Sequence, residues 1–351
     1  MLYAYVGCRT TEKRNARGKG LRTFAIDEKS GDWKEIQTLK TLDNPSYQCM
    51  DLTESYLYSV HGDFTQVTSY RILPDQTLEY MNTVDTVDGQ NPVFITVDKT
   101  NRYLLVATLQ GGRVYVIKRN EDGSLGDIVF VHFAPGVKEG SHSFAHQCIW
   151  DQTKTYLFVV YQGRDQGIGQ VKVLKFNSED GTLTETDRFI GRQYSEPRHL
   201  SVHPNNRWCY LINEKGNSMT YFAFDAEKGK LTARQILPTL PETYTGEGQA
   251  SASVLNEDGS ILIGSNRIHE SIVLYRINQE TGYMRELGYY PTLGLTPRFM
   301  CFNLDYSKFY VANEDSDTIV EMKLDKENGS MSYSGRIIPT ESPVCITFKR
   351  V

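Results

Sequence analysis

Long apolar runs are missing from this 351-residue sequence, and its mean hydropathy is negative. No run of apolar residues approaches the roughly 20 that a transmembrane helix needs, so we expect no membrane span. The opening residues, MLYAYV, lack the basic start and long apolar stretch of a secretion signal and are typical of a strand. We therefore predict a cytoplasmic protein that does not interact with a membrane.

An excess of positive charge is also missing, because 38 Lys and Arg face 43 Asp and Glu, for a formal net charge of −5. Affinity for nucleic acid depends on neutralising phosphates, so we predict no nucleic-acid partner. The six cysteines lie far apart, without a C-x-x-C pair or zinc-ligand spacing, and we expect buried free thiols. No glycine-rich phosphate-binding loop and no G-x-S-x-G elbow occurs. We predict no cofactor and no bound metal.

What the sequence does contain is a repeat of short strands. Apolar stretches are brief, alternate with polar residues, are rich in Tyr, Phe, Val and Ile, and are separated by turns such as EDGS and EDGT. In each complete unit an anchor residue begins one strand, a polar turn follows, and a second strand ends about 17 residues after the anchor. That second strand begins with an aromatic residue, except in the fifth unit, where it begins with isoleucine. The anchors are Pro45, Pro92, Ala145, Pro197, Ala250, Pro297 and Pro343.

Seven units spaced about 50 residues apart are typical of a β-propeller, in which each blade is a sheet of four strands. The seventh unit meets the end of the chain, and residues 2–7 can supply its missing partner strand. That pairing would close the ring and remove two sheet edges. We therefore predict an all-β, seven-bladed β-propeller, with residues 1–351 in a single domain and the N-terminal strand paired with the C-terminal blade.

The repeat also predicts which side chains surround one mouth of the central channel. Each first strand lines the channel and its hairpin is antiparallel, so residues 1, 16 and 17 positions after the anchor should lie together. Arg offers paired donors to carboxylate or phosphate, and His moves protons near neutral pH, so charge there suits an anionic, oxygen-rich small molecule. Alternatively, these charges only pair with one another to close the channel. The charged residues at these positions are His61, His146, Arg198, Glu214, Arg267, Arg298 and Glu314, and His199 follows Arg198.

Several segments resemble one known family. Residues 196–205, EPRHLSVHPN, resemble the G-P-R-H segment of the lactonase family of seven-bladed propellers. Residues 265–272, SNRIHESI, match its S-N-R-x-H-x-S-I run, and residues 240–248, LPETYTGEG, resemble its segment before the fifth repeat. Shorter likenesses occur at 5–8, 296–299 and 343–346. The family includes 6-phosphogluconolactonases and fungal 3-carboxy-cis,cis-muconate lactonizing enzymes.

The resemblance implies catalytic roles for His146, Arg198, Glu214 and Arg267. In a metal-independent lactonase, Glu214 or His146 would activate water while the two arginines stabilise the oxyanion or hold a substrate anion. A cycloisomerase of the muconate type would use the same residues without consuming water, and a non-catalytic propeller that binds a partner is a third possibility. His142 and His146 as a metal pair is a further alternative. Our candidates for binding a small anionic lactone or carboxylate are His199, Arg298, Glu247, His61 and Glu314.

Overall fold

The computed structural model describes residues 1–40 and 42–351, which form an all-β propeller. Within these residues, 28 strands make seven antiparallel sheets of four strands each, arranged as blades in a ring. The seven-bladed fold predicted from the repeat is therefore confirmed.

The strands follow the repeat along the chain. The first three are β1 (Leu2–Cys8), β2 (Leu21–Ile26) and β3 (Trp33–Leu39). Blade 1 holds β4 (Pro45–Met50), β5 (Tyr56–His61), β6 (Gln66–Ile72) and β7 (Leu78–Asp85). Blade 2 holds β8 (Pro92–Val97), β9 (Tyr103–Thr108), β10 (Arg113–Arg119) and β11 (Leu125–Phe133). Blade 3 holds β12 (Phe144–Trp150), β13 (Tyr156–Gln162), β14 (Gln170–Phe176) and β15 (Leu183–Ile190).

The second half continues in the same way. Blade 4 holds β16 (Pro197–Val202), β17 (Trp208–Asn213), β18 (Ser218–Asp225) and β19 (Lys230–Pro238). Blade 5 holds β20 (Gln249–Leu255), β21 (Ile261–Arg267), β22 (Ser271–Ile277) and β23 (Met284–Pro291). Blade 6 holds β24 (Pro297–Phe302), β25 (Phe309–Asn313), β26 (Thr318–Asp325) and β27 (Ser330–Pro339), and the last strand is β28 (Pro343–Arg350). The described part of the chain also has two short 3-10 turns, at Glu12–Arg14 and Glu314–Ser316.

Blade 7 is made from both ends of the chain, in the order β28-β1-β2-β3 from the channel outwards. β28 and β1 pair antiparallel from Leu2 opposite Arg350 to Cys8 opposite Pro343. The Met1 ammonium donates to the Val351 carbonyl at 2.6 Å, and the Val351 N–H donates back at 3.0 Å. The predicted ring closure is therefore present.

The apolar core is itself a ring, because the described buried residues form seven clusters, one between each pair of neighbouring blades. The cluster between blades 7 and 1 joins Tyr5 and Leu21 to Leu57 and Tyr70. Alternating strand residues supply these contacts on both faces of each sheet. Burial of this surface holds the blades at fixed positions around the channel.

A bulge in each innermost strand positions the residue that follows the anchor. In blade 1, Pro45 pairs with His61 and Tyr47 pairs with Val60, so Ser46 has no partner across the ladder. The same shift recurs at this place in all seven innermost strands of the described structure. A bulge of this kind redirects side chains. It lets two consecutive residues, such as Ser46 and Tyr47, line the channel together.

Candidate active site

The mouth of the channel holds a triad of Arg198, Glu214 and Arg267, which we call the first triad. Arg198 occupies the bulge of β16, Glu214 follows β17 in the same blade, and Arg267 ends β21 of the next blade. The Glu214 Oε2 atom lies 3.3 Å from Arg198 Nε and 3.3 Å from Arg267 Nη2. The Arg198 side chain is 3% exposed and that of Arg267 is 9% exposed, so both guanidinium groups are largely removed from water.

Glu214 is held as an anion by its surroundings. Burial disfavours its charged form, but Arg267, Arg198 and a hydrogen bond from Gln249 outweigh burial and lower its pKa to about 2. Gln249 Nε2 donates to Oε1 at 2.8 Å, and Gln162 Nε2 donates to Oε2 at 2.9 Å. A carboxylate with these partners is a weak base, so Glu214 is better suited to orienting the arginines than to taking a proton.

His146, in the bulge of β12, has the opposite character. Burial and then the charges of Arg198, Arg298 and Arg267 lower its pKa well below the usual 6.5, so the imidazole is neutral at pH 7. Its Nδ1 atom is buried and has no hydrogen-bond partner in the described residues. The neutral imidazole has a nitrogen free to accept a proton, and an anionic substrate among the guanidinium groups would offset the repulsion that disfavours the imidazolium.

His199 lies beneath these groups and separates the mouth from the rest of the channel. Its ring centroid is 5.1 Å from that of His146 and 6.2 Å from that of Phe94. Burial and the neighbouring Arg198 charge lower its pKa well below 6.5, so it too is neutral. On its other side, a cavity of about 430 Å³ is lined by Tyr47, Phe94, Phe299 and other inner-strand residues.

A second triad has the same arrangement as the first triad and lies two blades further round the ring. Arg298 occupies the bulge of β24, Glu314 follows β25, and Arg9 follows β1 in the next blade. Glu314 Oε2 accepts from Arg298 Nη1 at 3.3 Å, and Glu314 Oε1 lies 3.5 Å from Arg9 Nε. We call Arg298, Glu314 and Arg9 the second triad. Arg9 Nη1 also donates to Asp63 Oδ2 at 3.2 Å. The four arginines of the two triads outnumber the carboxylates of Glu214, Glu314 and Asp63, which leaves an excess of positive charge at the mouth.

Arg9 is the functional candidate that the sequence analysis missed. It stands 17 positions after the seventh anchor when β1 is counted as the second strand of blade 7, since Cys8 pairs with Pro343. Counting positions after Pro343 from β28 across the ring closure into β1 would have identified Arg9. The Arg9 side chain is 2% exposed, so it is almost fully buried although it belongs to a basic loop.

Two predicted binding residues lie apart from this cluster. The His61 ring is fully buried inside blade 1, where Nδ1 contacts the Asp43 carbonyl and Nε2 contacts Thr68 Oγ1, both at 2.9 Å. Glu247 is exposed on the loop before β20, where its carbonyl accepts a hydrogen bond from the Tyr244 hydroxyl. The structure therefore does not bring either side chain to the charged mouth.

The position of His61 reflects a general rule of strand geometry. Residues 16 and 17 positions after an anchor are consecutive in the chain, so their side chains cannot both face the channel. The residue at 17 reaches the mouth, whereas the residue at 16 points into its own blade and bonds there, as Asn213 does to Ser218 and Thr220. The expectation that both positions ring the mouth was wrong for position 16.

The alternative of a metal pair at His142 and His146 finds no support in the geometry. The His142 ring packs against Phe144 at a centroid distance of 4.9 Å, away from the channel. Nowhere in residues 1–40 and 42–351 do three or more His, Cys, Asp or Glu side chains form a group suited to a metal ion. No helix in this part of the chain has the length and apolar character needed to cross a membrane.

Comparison with known proteins agrees with this architecture. Residues 3–348 match the family described as "Lactonase, 7-bladed beta-propeller". The chain belongs to this lactonase family. A 6-phosphogluconolactonase of Bacillus subtilis is 27% identical over 98% of this chain and 97% of its own length. One of Formosa agariphila is 26% identical over 93% of this chain and 94% of its own.

A solved structure extends the likeness to the whole ring of this lactonase-family propeller. The periplasmic gluconolactonase of Pseudomonas aeruginosa superposes with a TM-score of 0.89 at 25% identity, covering 100% of each chain. In this lactonase-family chain, the mouth brings together a neutral imidazole, buried guanidinium donors and a fixed carboxylate. That combination can transfer a proton and stabilise negative charge that develops on a carbonyl oxygen.

Proposed function

We propose that this protein hydrolyses an anionic sugar lactone of the 6-phosphogluconolactone type, without a metal ion. The observation that carries the proposal is the neutral, unpartnered His146 next to Arg198 in a channel mouth with excess positive charge. The names of the two relatives and of the structural neighbour, all of which refer to lactone hydrolysis, support the same reaction class.

The proposed reaction begins with water at the mouth. His146 takes a proton from the water as its oxygen forms a bond to the lactone carbonyl carbon. Arg198 and Arg267 stabilise the oxyanion of the tetrahedral intermediate, while Glu214 keeps both guanidinium groups in place. The ring C–O bond then breaks, and the imidazolium returns the proton to the leaving oxygen. The product is the open-chain hydroxy acid.

The two other functions considered from the sequence have less support. Cycloisomerisation would use the same side chains, but no feature of the mouth favours addition of a carboxylate over attack by water. A non-catalytic scaffold would need its polar groups on an accessible face. Instead, Arg198 and His146 are 3% and 6% exposed, which suits a small molecule rather than a macromolecular partner.

The test measures the rate of lactone hydrolysis through the acid that is released, after subtraction of the spontaneous rate. We expect His146→Asn to lower kcat for 6-phosphogluconolactone by about 10²- to 10⁴-fold, the usual contribution of a positioned general base. His142→Asn is the matched control, because His142 lies four residues earlier and its ring packs on Phe144 outside the cluster. We expect its kcat to stay within about twofold of the wild type. Full turnover by a folded His146→Asn protein would refute this assignment of the base.

A further inference from the structure

The residues of the second triad occupy the same positions in the repeat as those of the first triad, but their hydrogen-bond partners differ. In both, a glutamate after the second strand bridges the bulge arginine of its own blade and an arginine of the next blade. The carboxylate of Glu214 also accepts two amide hydrogen bonds, from Gln162 and Gln249. Among the described residues, the Glu314 carboxylate contacts only its two arginines. The carboxylate of the second triad therefore has fewer hydrogen-bond donors than that of the first.

Buried donors in the second triad are left without partners. The Arg9 Nε atom lies within ion-pair distance of Glu314 but makes no hydrogen bond in the described structure, and the buried Ser46 hydroxyl has none either. Burial, followed by repulsion from Arg298, lowers the pKa of Arg9 to about 10. Arg198 Nε and Arg267 Nε of the first triad are also unpartnered among the described residues, so buried donors without acceptors occur in both triads. Buried polar groups are nearly always hydrogen-bonded, and an oxygen-rich ligand in the mouth would supply the acceptors.

These donors face one small pocket that the two triads share. The pocket holds about 20 Å³ and is lined by Arg9, Ser46 and Arg298 on one side and by His146 and Arg198 on the other. A space of this size takes about one water molecule or one ligand oxygen. The bulk of any ligand must therefore lie above it, in the mouth, with its oxygens reaching down to the two sets of donors.

Gly62 makes the arrangement possible. A Cβ atom at this position would lie 2.8 Å from Ser46 Oγ and 2.9 Å from Arg9 Nη1. Gly62 stands 17 positions after its anchor, and in the six other blades the residue at this position has a side chain, as Glu214 and Arg267 do. The missing side chain leaves the space that the Arg9 guanidinium and the Ser46 hydroxyl fill.

We propose that the second triad and Ser46 bind the phosphate of the lactone substrate, while the first triad and His146 act on its lactone carbonyl. The inference rests on the proposed function and adds a phosphate subsite to it. Guanidinium groups bind phosphate through paired, charge-assisted hydrogen bonds, and the unpartnered Arg9 Nε and Ser46 hydroxyl supply further donors. The subsite sets a preference for phosphorylated over neutral lactones, because a neutral lactone offers no anion to the donors of Arg9, Ser46 and Arg298.

The experiment compares kcat/KM for 6-phosphogluconolactone and for gluconolactone in the wild type and in Arg298→Gln. Arg298 is the most exposed arginine of the triads, at 22%, so its replacement is the one best tolerated by the fold. We expect the ratio of the two kcat/KM values to fall by about 10- to 100-fold, mainly through KM for the phosphorylated lactone. Arg71→Gln is the control, because Arg71 is exposed on β6 and pairs only with Glu79 among the described residues. Its ratio should not change.

A ratio that stays constant in Arg298→Gln would overturn the proposal, even if both rates fall together. A wild-type protein that hydrolyses both lactones equally well would overturn it too, while leaving the lactonase assignment intact. Arg9→Gln, checked for folding by thermal unfolding, gives a second measurement of the same ratio.

A binding measurement tests the subsite without turnover. By calorimetry, we expect the wild type to bind 6-phosphogluconate at least about tenfold more tightly than gluconate, and Arg298→Gln to lose most of that difference. Equal affinity of the wild type for the two acids would overturn the subsite. If neither lactone is hydrolysed but the affinity difference is present, the proposed function fails and the phosphate subsite stands.

Discussion

At the scale of single residues, the charges of the mouth distinguish two candidate bases that the sequence could not separate. Glu214 and His146 occupy equally good positions in the repeat. The structure surrounds Glu214 with two guanidinium groups and two amide donors, which hold its pKa at about 2, whereas Arg198, Arg298 and Arg267 repel a proton from His146. The Nδ1 atom of neutral His146 has no hydrogen-bond partner among the described residues, whereas both oxygens of anionic Glu214 already accept hydrogen bonds.

The same charges predict how the pH dependence changes when substrate binds. In the free protein the pKa of His146 is well below 6.5, so kcat/KM should fall only when the pH drops well below that value. A bound phosphorylated lactone brings negative charge among the arginines and raises the pKa of His146. Further desolvation has little effect, because the ring is already buried. We therefore expect the acid limb of kcat to lie at higher pH than that of kcat/KM.

The measurement is a pair of pH–rate profiles from about pH 4 to pH 8, corrected for spontaneous hydrolysis. Gluconolactone is the matched comparison, since it lacks the charge and should show a smaller separation between the two limbs. If the fall in rate at low pH is absent in His146→Asn, that fall is due to protonation of His146. Acid limbs that coincide for the phosphorylated lactone, or lie in the reverse order, would contradict the argument.

At the scale of strands and turns, the innermost hairpins were predictable because their signals are local and recur. A proline or alanine anchor and a polar turn recur in every complete unit, and the second strand begins with an aromatic residue in all of them but the fifth. The strands β4, β8, β12, β16, β20 and β24 all begin within one residue of their anchors. The bulge was not predictable, because it arises from pairing between two strands. It explains why His199 joins Arg198 in the channel although alternation would separate them.

The limits of the sequence prediction at the mouth have the same physical origin. His61 was misplaced because its strand position was known but the face to which its side chain points was not. Arg9 was missed because its blade is completed by β28 from the other end of the chain, where Pro343 pairs with Cys8 across about 335 positions of sequence. The low basicity of Glu214 depends on distances to Arg198 and Arg267, which no spacing rule contains.

The turn after each innermost strand leads to a prediction about stability. Asp98 is fully buried, and its Oδ1 atom accepts from the N–H groups of Arg102 and Tyr103 at 2.8 and 2.9 Å, while Oδ2 accepts from that of Thr100 at 2.8 Å. Asp98→Ala leaves buried donors unpaired. We expect it to lower the free energy of unfolding by about 1–3 kcal/mol in urea denaturation.

Asp98→Asn is the matched control for this turn. Asn256 and Asn303 hold the equivalent positions in blades 5 and 6, where their Oδ1 atoms accept from the N–H groups of Ile261 and Lys308 at 2.8 and 3.0 Å. An amide oxygen therefore suffices for the main contact, and we expect Asp98→Asn to lose less than half as much stability as Asp98→Ala. Equal losses in the two variants would mean that the charge of Asp98, rather than its acceptor geometry, stabilises the turn.

At the scale of the whole molecule, the ring depends on one non-local pairing. Six blades are consecutive in the chain, but blade 7 requires β28 to find β1. The pairing completes the apolar cluster between blades 6 and 7, where Ile346 and Phe348 of β28 pack with Tyr310. It also brings Arg9 to the mouth next to Glu314, so closure of the ring and completion of the second triad are the same event.

We expect the seven blades to unfold as one domain, and two variants of the chain ends test this. Removing residues 343–351 leaves the β1 edge and the blade 6–7 cluster uncovered, so we expect loss of the cooperative thermal transition and of lactone hydrolysis. The control is a circular permutant that joins Val351 to Met1, already hydrogen-bonded at 2.6 Å, and opens the exposed turn between Glu227 and Lys228. It keeps every strand pair, and should melt in a single transition within a few degrees of the wild type. Two separate transitions in the permutant, or a truncated chain that still melts cooperatively, would show that the blades fold independently of ring closure.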